Sequence, residues 1–238
     1  RPLRERKPER LLGIAEKLLA CSGYDEISLS SLSTSDFSGL RDLTDGLLKI
    51  TEEKKIGLSL PSLRIDNFSL ELMEKVQKVR KTGITFAPEA GTQRLRDVIN
   101  KNINEEDIIN STNMLFRGGW TNVKLYFMIG LPTETMDDVC GIADLAQKVL
   151  EVYFAIPKEE RAKQINITVS TSSFVPKPFT AFQWAKQDTR DMLIEKQNTL
   201  KSAIKSKRIR YNWHDNKTSY LEGVFARGDR RLSEVIIK

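Results

Sequence analysis

Two cysteines and one histidine are the only thiolate and imidazole ligands in this 238-residue sequence, and that scarcity argues against the common zinc and iron–sulfur sites from the outset. Cys21 and Cys140 stand far apart, each within a helical pattern, so there is no CxxC pair or cluster-ligand spacing and no metal site is expected among these residues. Two free cysteines without a secretory signal predict a reducing, cytoplasmic location, with both thiols packing helices rather than acting as nucleophiles. No apolar run approaches the roughly 20 residues that a membrane span needs, so no membrane partner is expected. No GxGxxG turn follows the first strands, which argues against a dinucleotide-binding domain. An initiator methionine is also lacking. Arg1 opens a charged Arg-Pro-Leu-Arg-Glu-Arg-Lys-Pro stretch, which suggests a piece of a longer polypeptide.

What is present is the composition of a globular domain, with 39% hydrophobic and 29% charged residues. One large domain is the default at this length. The 38 basic residues exceed the 32 acidic ones, giving +6, and they gather in Arg1–Arg10 and Lys201–Arg210. Solvated helix faces explain both clusters; RNA or a ribosome is the alternative partner.

Apolar spacing then sets out the elements. Pro8 opens a helix with Leu11, Leu12, Ala15, Leu18 and Leu19 at helical intervals, ending at Ser22-Gly23. A strand over 26–30 precedes a helix over 40–52, and a strand over 56–60 precedes a helix over 70–80. A strand over 84–87 leads to helices at 94–99 and 105–116, a strand over 122–129 to a helix over 136–154, and 165–170 forms the last clear strand. Repeated strand–helix alternation builds a parallel sheet, and this many units favours an α/β fold of the partial or open (β/α) barrel type. The barrel is assigned to residues 1–186, lacking a first strand, with 187–238 as a helical and strand extension packed on it.

In the strands, Ile84, Phe86, Leu125, Phe127, Ile129, Ile165, Ile167 and Val169 share one face, where helices must cover them. Alternation turns Ser28, Ser30, Ser59, Thr85, Glu89, Lys124, Tyr126, Thr168 and Ser170 inward. A closed eight-stranded barrel fills its centre with branched aliphatic residues, so this small, polar interior argues for an open barrel that holds a ligand.

Sites in parallel α/β folds lie beyond the carboxyl ends of the strands. Three segments stand there: TGITFAPEAGTQRLRDVINKNI, KLYFMIGLPTETMDD and SSFVPKPFTAFQW. In that order and register they resemble the fourth-, fifth- and sixth-strand segments of radical S-adenosylmethionine (SAM) proteins. The resemblance is greatest to a bacterial group of unassigned substrate in which a cobalamin-binding-like region precedes the barrel. It extends to Trp213-His214-Asp215 and to Arg227-Gly228-Asp229-Arg230-Arg231.

The resemblance implies SAM as cofactor, a 4Fe-4S cluster on a C-x3-C-x2-C loop, an external electron donor and an unknown substrate. That cysteine loop would precede Arg1, so the cluster belongs to the full-length protein and this chain alone is expected to be inactive. Cobalamin would add methyl transfer, though none of these residues shows it. In place of the family's Gly-Gly-Glu turn stand Ser30 and Ser31, whose hydroxyls or backbone would receive the SAM amino group. Glu89 matches the polar SAM contact at the end of the fourth strand, while Met128, Gly130, Ser170, Phe174 and Val175 lie along the segments that border the cofactor.

Lys124 needs a partner, which the SAM carboxylate or Glu89 would supply. Arg64 and Arg94 are candidate binders of that carboxylate or of an anionic substrate. Glu134 is expected to cap the following helix or brace the loop. His214 and Arg227 are candidate substrate contacts, each with a structural alternative. Two other readings stay open: a cluster-independent barrel lyase or hydrolase using Glu89 and Lys124, and a basic RNA- or ribosome-binding module.

Overall fold

The computed structural model describes residues 4–29, 37–59 and 84–238. Helix α1 (Pro8–Ser22) leads to β1 (Glu26–Ser28), and α2 (Leu40–Lys54) to β2 (Gly57–Ser59). These two strands pair in parallel, with Ile27 opposite Leu58. Ala15, Leu43, Leu47, Leu48 and Leu58 form the apolar cluster beneath them.

The second sheet holds β3 (Ile84–Glu89), β4 (Asn122–Ile129), β5 (Asn166–Ser173) and β6 (Ile209–Trp213), parallel and in sequential order. Between them run α3 (Gln93–Val98), α4 (Glu105–Arg117), α5 (Met136–Ala155) and α6 (Arg190–Ala203), followed by α7 (Asn216–Arg227), a short 3-10 turn and α8 (Ser233–Ile237). Each longer crossover helix starts with a side chain that satisfies a free backbone N–H: Asn104 with Asp107 for α4, Thr135 with Asp138 for α5, and Thr189 for α6. The result is an open, parallel α/β arrangement, as expected; among the described residues the strands do not close into a ring.

Alternation decides what the larger sheet buries. Along β4, Val123, Leu125, Phe127 and Ile129 are each at most 2% exposed, whereas Lys124, Tyr126 and Met128 are not buried. With Phe86, Ile167 and Val169 they form the main core against α4, α5 and α6. At roughly 25 cal/mol per Å² of apolar area, this outward face carries most of the hydrophobic stabilisation. The opposite, concave face is the polar one that alternation predicts.

Strand β6 was not singled out from sequence. Its Ile209, Tyr211 and Trp213 alternate with Arg210 and Asn212, yet only Ile209 is fully buried, Tyr211 is partly buried against the core, and Arg210, Asn212 and Trp213 are exposed. It nonetheless pairs with β5 from Ile167↔Ile209 to Thr171↔Trp213. The helix expected over 70–80, together with Ser30, Ser31 and Arg64, lies outside the described residues.

Candidate functional site

The C-terminal edge of the large sheet is assembled by three turns. The first begins at Pro88, which cannot donate to the ladder, and the β3–β4 register shifts between Phe86 and Glu89. Simple alternation would place Glu89 opposite Met128; the bulge places it opposite Phe127, with φ +69. The bulge and this left-handed backbone, rather than strand parity, therefore aim Glu89. Its carboxylate is 29% exposed and faces Lys101 Nζ at 3.6 Å. Burial raises the Glu89 pKa, and Lys101 offsets part of that rise.

Arg96 secures the turn that follows. Its guanidinium is fully buried and donates to the Ala90 carbonyl at 3.0 Å, the Gly91 carbonyl at 3.4 Å and Gln93 Oε1. Burial is the main influence lowering its pKa, with Glu105 and Asp97 acting in the opposite sense. Sequence reasoning missed this residue, since an arginine in a charged hexapeptide helix carries no local sign of burial.

Arg94 was expected to bind an anion. It is instead held by Asp138 and by the Thr133 carbonyl at 2.9 Å, so its charge is already matched. Asp138 also accepts from the Thr92 hydroxyl and, at 2.8 Å, from the Thr135 N–H. Burial alone would raise its pKa, but hydrogen bonds from Thr92, Arg94 and Thr135 together hold it at about 2. Because the folded pKa lies below the unfolded one, this network stabilises fully above about pH 4 and is lost as pH falls toward 2. The contribution is roughly 2 kcal/mol. Asp138→Asn should therefore lower the urea-unfolding free energy at neutral pH, and the difference from wild type should shrink steadily in acid. A deficit unchanged at pH 3 would refute this.

The β4–α5 turn carries Gly130 at φ +80, a conformation that disfavours side chains. A Cβ there would meet Asp188 Oδ2 and Leu193 Cδ2 at 3.2 Å. Glu134 does not cap α5, which Thr135 does; it braces the turn by accepting from the Gly130 N–H and from Lys196 Nζ, both at 2.7 Å. Lys196 also reaches Asp188 at 2.7 Å. This buried triad borders a cleft of about 560 Å³ between the turn and residues 185–196. Gly130 thus lies against α6.

Met128 and Phe174 meet in the cluster that includes Ala90, the residue after Glu89. Phe174 clusters with Ala90, Leu95 and Leu131, and Met128 packs on that cluster. Val175 is 9% exposed and Ser170 6%.

Lys124 does not pair with Glu89. It lies low on β4, opposite Thr85, with its ammonium 4.5 Å from the Tyr126 ring centroid. The expected Glu89–Lys124 pairing is therefore not formed; Lys101 takes that place. His214 is exposed, with its backbone bonded to Thr171 and Gln197. Arg227 donates to the Gln183 and Ala185 carbonyls, pinning the 174–189 loop to α7. Asp229 caps the final 3-10 turn and pairs with Arg231.

The family model of the radical SAM superfamily matches residues 1–146. The chain belongs to the radical SAM superfamily. It is 32% identical over 235 residues to an uncharacterized protein of Methanocaldococcus jannaschii, covering 99% of this chain and 48% of that protein. The chain thus spans about half the length of that curated relative. The structure of a Methanocaldococcus infernus Elp3 with an N-terminal deletion superposes with a TM-score of 0.56 at 15% identity, covering 92% of this chain and 60% of that one. This likeness shows a shared fold.

The described residues contain no group of three or more His, Cys, Asp and Glu side chains that could hold a metal. Cys21 is exposed on α1 and Cys140 sits in α5. The two cysteines of the sequence do not fit a cluster that requires three thiolates. No helix among the described residues is long and apolar enough to cross a membrane.

Proposed function

We propose that this chain forms the SAM-orienting part of a radical enzyme whose cluster ligands and electron donor lie outside these 238 residues. The observation that carries this reading is the edge at Glu89, where a partly buried carboxylate adjoins the apolar cluster of Met128, Leu131 and Phe174. SAM offers complementary chemistry, with a cationic sulfonium and ammonium beside a flat adenine. In this superfamily bound SAM supplies, on one-electron reduction, a 5′-deoxyadenosyl radical that removes a hydrogen atom from the substrate. The part played by these side chains is to bind, orient and exclude water. Glu89 holds the cationic end, exchanging Lys101 for the ligand, while Met128, Phe174 and Val175 line the apolar wall. Arg96 and the Asp138 network keep both turns in place.

The test uses the full-length protein, reconstituted anaerobically and supplied with a strong reductant. It should convert SAM to 5′-deoxyadenosine, and Glu89→Ala should raise the SAM concentration for half-maximal rate by about tenfold to a hundredfold, the worth of one charge-assisted hydrogen bond. A cluster-loaded protein that never yields 5′-deoxyadenosine would overturn the reading. Unchanged SAM dependence in Glu89→Ala would overturn that residue's role.

A further inference from the structure

The hydroxyls of β3–β6 divide into two sets according to the side of the sheet they occupy. On the outward side, Thr171 bonds Tyr211 at 2.9 Å and Ser173 bonds Asn216 at 3.4 Å. On the concave side stand Thr85, Thr168, Ser170 and Ser172, and none of these side chains has a hydrogen bond to a described residue. Ser170 is the informative one because it is only 6% exposed. A buried hydroxyl left unbonded costs about 1–3 kcal/mol, and folded proteins leave few such groups without a partner.

The cations on the same face follow the same pattern. Cross-strand register places Thr85, Lys124, Thr168 and Arg210 in one row and Tyr126, Ser170 and Asn212 in the next. Lys124 leans on Tyr126, which carries its ammonium toward the Ser170 row. Neither Lys124 nor Arg210 has a carboxylate partner among the described residues. Apart from Glu89 at the upper edge, β3–β6 hold no acidic residue. Strands lie about 4.8 Å apart, so the Cα atoms of Lys124 and Arg210 flank that of Thr168 at about 10 Å from each other, a span one oxyanion group bridges through side chains of that length.

We propose that the concave face of β4–β6 is a substrate subsite for an oxyanion, phosphoryl or carboxylate, held by Lys124 and Arg210 and hydrogen-bonded by Ser170 and Thr168. This rests on the SAM-orienting reading, since Ser170 lies opposite Tyr126, one register step below the Phe127 that faces Glu89. Substrate held there stands beneath the cofactor edge. The unbonded hydroxyls are then explained as donors awaiting a ligand.

The experiment needs neither cluster nor reductant, so its failure is separable from failure of the radical chemistry. The chain is titrated with pyrophosphate and, in parallel, with citrate, while backbone amide shifts and the thermal midpoint are recorded. One of the two should bind saturably and shift the amides at 124–126, 168–170 and 210–212; which one binds assigns phosphoryl or carboxylate. Ser170→Ala should weaken binding about fivefold, while the thermal midpoint stays level or rises, because removing an unbonded buried hydroxyl relieves a cost. Lys124→Met, which keeps the stem on Tyr126, and Arg210→Gln should each weaken binding about tenfold or more. The proposal falls if neither anion shifts this face, if binding maps only to the 201–208 segment and ignores the variants, or if Ser170→Ala lowers the thermal midpoint and so behaves as a structural hydroxyl.

Discussion

Lys196→Ala should lower the unfolding free energy by about 3 to 5 kcal/mol, the usual cost of leaving a buried charge without its partner. Glu134 is 1% exposed, Asp188 17% and Lys196 10%, so water cannot replace the ammonium. Burial pushes the Glu134 pKa up, and Lys196 and the Gly130 N–H offset this in part. Burial on its own would lower the Lys196 pKa, yet the two carboxylates together raise it, and the lysine stays charged. Without the ammonium, Glu134 must take up a proton or pull out of the turn, and the Gly130 conformation loses its brace. A double variant, Lys196→Met with Glu134→Gln, should recover much of the loss, since the neutral amide still accepts from the Gly130 N–H. Urea melts of the single and double variants measure the coupling directly. A single-variant cost under about 1 kcal/mol would show the triad to be solvated.

What the sequence discloses about this molecule depends on how local each cause is. Strand β4 reads correctly to the residue because Val123, Leu125, Phe127 and Ile129 recur at every second position with Asn122, Lys124 and Tyr126 between them, and the two faces of the sheet follow from that alternation. Strand β6 alternates as well, with Ile209, Tyr211 and Trp213 between Arg210 and Asn212, but over only five residues at a sheet edge directly after the basic Lys201–Arg210 stretch, too short a run to stand out. The site divides in the same way. Glu89, Met128 and Phe174 sit in motifs at strand ends and are recognisable there. Lys101 and Lys196 read as ordinary surface lysines, because their partners Glu89 and Glu134 arrive from other elements. Arg94 misleads for the same reason, since Asp138 is far along the chain.

The turn after Glu89 should be less tolerant still, and Gly91→Ala is expected to destabilise by more than about 3 kcal/mol or to prevent folding. A Cβ at Gly91 would lie 2.3 Å from the Ile142 nitrogen, 2.5 Å from the Asp138 oxygen and 2.6 Å from the Gly141 carbon. All three are backbone atoms of α5, which cannot move aside singly without breaking helical hydrogen bonds. The contact is mutual, because a Cβ at Gly141 would stand 2.8 Å from Thr92 Cγ2. Two glycines therefore let the β3–α3 turn press onto α5, and the Thr92–Asp138–Arg94 network forms across that junction. Loss of the contact should also release Glu89 from Lys101, so SAM dependence in the full-length protein should worsen together with stability. Gly13→Ala is the control. It lies within α1 with nothing inside 4 Å of its added methyl, and alanine there should stabilise by about 0.5 to 1 kcal/mol. Thermal melts of the two variants should thus move in opposite directions, and a Gly91→Ala protein that melts with wild type would refute the close turn–helix contact.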